Sequence, residues 1–97
     1  MTTDQNNTAP QMRLGLAKRG YSGVIHHLDA DEGSSSLPAI ELESRLIELG
    51  FVEGAHVEIL HEGAFGRDPI AVRVNHATIA LRRREAMAIF ATADRPA

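Results

Sequence analysis

The chain has no cysteine and no tryptophan, only four aromatic residues, no excess of positive charge and no long apolar run. Without cysteine there can be no disulfide framework, zinc–thiolate site, iron–sulfur cluster or thiol nucleophile. The aromatics are Tyr21, Phe51, Phe65 and Phe90, too few and too scattered for a platform that stacks single-stranded bases. Ten Lys and Arg against thirteen Asp and Glu leave a net charge of −3, so no broad positive field exists to hold nucleic acid or an anionic bilayer. No stretch approaches the roughly 18–20 apolar residues of a membrane span, and the start lacks the basic-then-apolar pattern of a secretory signal. What is present is ordinary globular composition, 43% hydrophobic and 24% charged over 97 residues, which predicts one soluble, non-enzymatic, cytoplasmic domain.

Residues 1–12 are polar, contain Pro10 and show no periodicity, so a disordered tail is expected there; residues 13–93 form the domain, and 94–97 a short frayed end. Within the domain the dominant period is two. Val24–Leu28 reads as a strand entered through Gly20 and Gly23. His56–His61 sets Val57 and Ile59 on one face and His56 and Glu58 on the other. In Ile70–Val74 the residues Ile70, Val72 and Val74 point inward, and after a tight turn at Asn75-His76 the pattern resumes with Ile79 and Leu81. A last strand, Ala88–Thr92, follows a helical turn at Arg83–Ala86. Four or five short strands with tight connections predict a mainly β fold, a small barrel or sandwich.

One segment has helical spacing. Leu42, Leu46 and Leu49 fall at i, i+4 and i+7, with Ile40 and Ile47 beside the stripe. Pro38 suits the first turn, and Gly50 stands where a left-handed stop residue belongs, with Phe51 folding back onto Leu46. The expected interior is Leu42, Leu46, Leu49, Val57, Ile59, Ile70, Val72, Val74, Ile79, Leu81 and Ile89.

Several local patterns fall short of chemistry. Gly15–Ser22 has the glycine spacing of a phosphate-binding loop, but Tyr21 occupies the lysine position and a strand follows where a helix is needed. Adjacent His26 and His27 point to opposite faces of a strand, so they cannot chelate one ion together; the same parity separates His56 from His61. His56 and Glu58 share a face and are the weak metal candidates, two ligands short of a built site. Ser34-Ser35-Ser36 reads as flexible linker, and no nucleophile–base constellation is legible. Arg82-Arg83-Arg84 is the single basic cluster, a solvated strand end or a patch for an acidic partner. Function is therefore expected on loops carried by a rigid body: the helix stop with Gly50 and Phe51, the loop Gly63–Pro69 with Phe65 and Arg67, and Arg82, Arg83 and Arg84. Phe65 reads equally as an interface anchor or as a lid on the interior.

Arg45-Leu46-x-x-Leu49-Gly50-Phe51-x-x-Gly54-x-x-Val57-x-Ile59 resembles the core motif of the FeoA family. Asp68-Pro69-Ile70, Val72, Val74 and Ile79-Ala80-Leu81-Arg82-x-x-Glu85-Ala86 resemble its second half, and Leu16–Ile25 its first turn and strand, so the likeness spans about Leu14–Thr92. The polar loop Asp29–Leu37 and Asn75-His76, where a glycine is expected, depart from the pattern. The resemblance implies an SH3-like barrel of about five strands with one inserted α-helix. It implies a cytoplasmic accessory protein of ferrous iron uptake that docks on the GTP-binding region of the FeoB permease and modulates its transport or GTPase cycle. It implies no cofactor, no nucleic acid partner and no direct membrane insertion, with placement at the inner membrane face only through the permease and a homo-oligomer left open. The alternatives are a regulatory or RNA-binding SH3-like module, or a domain like the C-terminal one of metal-dependent repressors.

Overall fold

The computed structural model describes residues 10–31 and 36–94. Six antiparallel strands form one sheet: β1 (Gln11–Arg13), β2 (Ser22–Leu28), β3 (His56–Phe65), β4 (Asp68–Val74), β5 (Ala77–Leu81) and β6 (Ile89–Ala93). Their order across the sheet is β1-β6-β2-β3-β4-β5. Helix α1 (Ala39–Glu48) lies between β2 and β3, and the single turn α2 (Arg83–Ala86) between β5 and β6. The sheet wraps one cluster of buried apolar side chains that includes Leu14, Ile25, Leu42, Leu46, Phe51, Val57, Ile59, Ile70, Val72, Val74, Leu81 and Ile89. Edge strands β1 and β5 are not hydrogen-bonded to each other. The 3₁₀ turn Leu14–Leu16 that follows β1 instead packs on α2, which follows β5, so two helical turns bring the edges together.

The alternation in β4 behaves as expected: Ile70, Val72 and Val74 are buried, and Asn75 takes a φ of 56° in the turn to β5. In α1 Pro38 is the N-cap, and Leu42 and Leu46 face the core. The helix ends in a Schellman arrangement. Phe51 N–H donates to the Leu46 carbonyl at 2.9 Å and Gly50 N–H to that of Ile47 at 3.0 Å, with Gly50 at φ 109°. A Cβ at that φ is strained, so Gly50→Ala should cost about 1 kcal/mol, read from a denaturant midpoint. The far side of the linker is pinned too: the Glu43 carboxylate accepts the Ala30 N–H at 2.8 Å.

Four expectations are corrected. The sheet has a sixth strand, because Gln11 and Met12, assigned to the tail, pair with Thr92 and Ala91 of β6; three residues carry too little periodicity to be seen alone. Residues 1–9 of that tail, Ser34 and Ser35, and 95–97 lie outside the described residues. Asp94, placed in the frayed end, donates its N–H to the Ser22 carbonyl at 2.9 Å. The segment Gly63–Pro69 is not a loop: β3 runs to Phe65, β4 starts at Asp68, and only Gly66 and Arg67 turn, at φ 71° and 59°. Two successive positive φ values are those of a type I′ turn, whose twist matches the flanking strands. Leu49 and Ile79 are only partly buried, whereas Leu14, Ile25 and Phe51 complete the core.

Candidate functional site

Strand β3 carries a polar cluster at each end. At its C-terminal end the organising residue is Arg83. Its guanidinium donates to the carbonyls of Gly15 (3.0 Å), Ala17 (2.7 Å) and Arg67 (2.8 Å), and to Glu62 Oε2 at 2.6 Å. Its backbone N–H donates to Asp68 Oδ1 at 2.8 Å. Both side chains of the Arg83–Glu62 pair are only 20% exposed. A planar fork of donors suits this task, since one side chain reaches three backbone carbonyls and a carboxylate at once. Arg83 was expected as a docking residue; it is a brace that ties the 3₁₀ turn, α2 and the β3–β4 hairpin together.

What the brace holds out is apolar. Phe65, last residue of β3, is 90% exposed, so it is no lid on the interior. Leu16, in the 3₁₀ turn between two of the residues Arg83 grips, is 63% exposed. Arg67, Arg82 and Arg84 are exposed around this end. Arg82 precedes α2, where Glu85 Oε1 accepts its backbone N–H at 3.1 Å and closes the turn.

The helix stop is different. Phe51, expected to meet a partner, is fully buried. With Leu28, it floors a shallow groove of about 320 Å³ between α1 and β2, rimmed by His27, Glu43, Ile47, Val52 and Glu53. Gly50 serves the helix stop. Ile47 and Val52, not named as site candidates from the sequence, are the exposed large apolar side chains here.

At the N-terminal end of β3, Ser22, His56 and Asp94 converge. The Ser22 hydroxyl donates to Asp94 Oδ2 at 2.5 Å, and His56 Nε2 lies 2.7 Å from that oxygen and 3.0 Å from Ser22 Oγ. No local pattern announces this trio, whose members come from β2, β3 and the residue after β6. It is not a hydrolytic relay. In a relay the carboxylate holds Nδ1 and leaves Nε2 to the hydroxyl; here both meet Nε2, and the serine proton is directed to the carboxylate. Beside it Tyr21 contributes to a cleft of about 380 Å³ with Gly20, Ser22, Ala93 and Asp94. The Tyr21 hydroxyl is buried without a hydrogen-bond partner. Burial first, and then the nearby Asp94 charge, push its pKa above the ordinary 10.0. Glu58, the other half of the proposed metal pair, turns to Arg73 at 3.9 Å, so His56 and Glu58 have separate partners.

The parity argument for His26 and His27 fails. Ile25 pairs with Ala91 and His27 with Phe90, which leaves His26 as the extra residue of a β-bulge. The bulge brings the two rings together, with Nδ1 atoms 3.0 Å apart. No group of three or more His, Cys, Asp or Glu side chains able to hold a metal occurs among the described residues. Nor is any described helix long and apolar enough to cross a membrane.

Comparison with known proteins gives a consistent picture. The FeoA domain model matches residues 12–93. A FeoA protein from Chlorobium tepidum is 31% identical, with 87% of this chain and 71% of that one covered and a TM-score of 0.68. FeoA from Stenotrophomonas maltophilia, a prokaryotic SH3 domain protein seen in complex with zinc, is 29% identical over 82% of this chain and 88% of its own, with a TM-score of 0.67. A manganese-dependent transcriptional repressor shares the fold at 20% identity and a TM-score of 0.69, but only 43% of that chain is covered. No curated protein matches. The mainly β architecture is thus SH3-like, and the chain belongs to the FeoA family of proteins associated with ferrous iron transport.

Proposed function

We propose that this protein is a non-enzymatic accessory factor that docks on the cytoplasmic GTP-binding region of a FeoB-type ferrous iron permease and modulates its transport or GTPase cycle. The observation that carries the reading is Phe65, 90% exposed at the tip of a hairpin that Arg83 clamps to the body. The tie keeps the backbone under the ring in place, so less backbone freedom is lost on binding, and an exposed aromatic on such a support is the usual anchor of an interface. Arg67, Arg82 and Arg84 add a local positive rim to a chain of net charge −3, so they favour a carboxylate-rimmed socket over a nucleic acid. Family membership supplies the process, and the S. maltophilia relative has been put forward as a bacterial ferrous iron transport activating factor.

The test is GTP turnover by the permease's cytoplasmic region with and without this protein, together with direct binding. Saturable binding and a changed turnover are expected, both weakening as salt is raised. Absence of binding, or tighter binding to RNA at physiological salt, would replace this reading with that of a nucleic-acid module.

A further inference from the structure

We infer that His26 and His27 form a bidentate imidazole site for a first-row divalent transition-metal cation, bound through both Nδ1 atoms. The inference goes beyond the docking reading and does not depend on it. Adjacent residues of a strand normally diverge; the β-bulge at His26 removes that divergence and sets both exposed imidazoles on one side of β2. Their Nδ1 atoms are 3.0 Å apart with the rings nearly perpendicular, at 79°. Metal–imidazole bonds of about 2.0–2.1 Å place cis nitrogens about 2.9 Å apart in octahedral or square-planar geometry, against about 3.4 Å in a tetrahedron. The observed spacing lies between the two, so a single ion reaches both nitrogens with little movement of either ring.

The pair is also held in place. His27 stacks on Phe90 of β6, ring centroids 4.6 Å apart and planes within 7°. Phe90 in turn carries the Arg13 guanidinium of β1 at 4.5 Å. The file Arg13–Phe90–His27 crosses three paired strands, so the orientation of the His27 ring is set by the sheet. Without metal, one Nδ1–H donates to the other Nδ1, which requires the two rings to be different tautomers. A bound cation takes both Nδ1 lone pairs. The single proton between them moves through water to Nε2 of the ring it leaves, so a neutral pair accepts the cation with no net proton release. Glu43 and Glu53, on the groove that His27 also rims, favour positive charge nearby, while Arg13 opposes it from beyond Phe90. Water fills the remaining coordination positions.

The probe is Ni²⁺, titrated into the untagged full chain by calorimetry and followed in ¹⁵N imidazole spectra. One equivalent should bind, and both rings should become the Nε2–H tautomer. His26→Ala and His27→Ala should each weaken binding about tenfold or more, and His26→Gln serves if either alanine variant loses its far-ultraviolet signature. His56→Ala and His61→Ala should change it less than about twofold, and Phe90→Leu should weaken it about threefold with every histidine retained. Unchanged affinity in the His26 or His27 variants, equal loss in His56→Ala, or no binding at millimolar Ni²⁺ would each overturn the inference.

Discussion

The two ends of β3 carry the same kind of chemistry with different consequences. At the His56 end a serine, a histidine and a carboxylate form a trio whose ion pair is 53% and 36% exposed. At the Phe65 end an arginine and a glutamate, each 20% exposed, share a 2.6 Å contact, and the same guanidinium also satisfies three backbone carbonyls. Water and salt compete with the first cluster; for the second, they are largely displaced by protein. The first fastens the ends of β2, β3 and β6. The second sets the shape of the surface on which Phe65, Leu16 and the neighbouring arginines stand. Similar charges thus act as a clasp in one place and as a foundation in the other, and burial is what separates the roles.

The largest effect should come from Arg83→Met, which strands the Glu62 carboxylate and two half-buried carbonyls. A loss of about 2–4 kcal/mol in the denaturant midpoint is expected, little changed by salt. A loss below about 1 kcal/mol would erase the contrast between the ends. Glu62→Gln keeps a hydrogen-bond acceptor for Arg83 and should cost less, about 1–2 kcal/mol by the same measurement.

At the other end Tyr21→Phe should stabilise the fold by about 1 kcal/mol, because it removes a buried hydroxyl that has no partner. The single tyrosine also gives a clean optical titration. Its midpoint should lie above 10.0 and move down in Asp94→Asn, since Asp94 is the second cause of the shift. A raised folded-state pKa means that ionisation of Tyr21 leaves stability unchanged below about pH 10 and lowers it as pH climbs toward and through the folded value, a fall absent in Tyr21→Phe. The smallest effect belongs to His56→Gln, expected to cost less than about 1 kcal/mol and to fade in high salt.

Local pattern carried far into this fold. Leu42 and Leu46 at helical spacing, Gly50 as the stop and the alternation Ile70-x-Val72-x-Val74 are each written within a dozen residues, and each is where the spacing put it. The features that were not legible depend on register between distant strands. Arg83 grips Gly15 and Ala17 from more than sixty positions away, and Ser22, His56 and Asp94 meet only once β2, β3 and β6 are aligned. The bulge at His26 inverted an argument from parity that would hold on a regular strand, because a single inserted residue changes which face every later side chain takes. Charge alone placed Arg83 with Arg82 and Arg84 on the surface; its partners, which no local pattern encodes, draw it inward. Phe65 could be read either way until the length of β3 showed the ring beyond the core.

If a clamped hairpin presents Phe65 to the proposed permease partner, the affinity of Phe65→Ala for the permease's cytoplasmic region, measured beside its melting temperature, is the decisive quantity. At least about a tenfold weaker complex with an unchanged melt is expected, since the ring is 90% exposed and contributes little to the core. Wild-type affinity in a folded Phe65→Ala protein would contradict it.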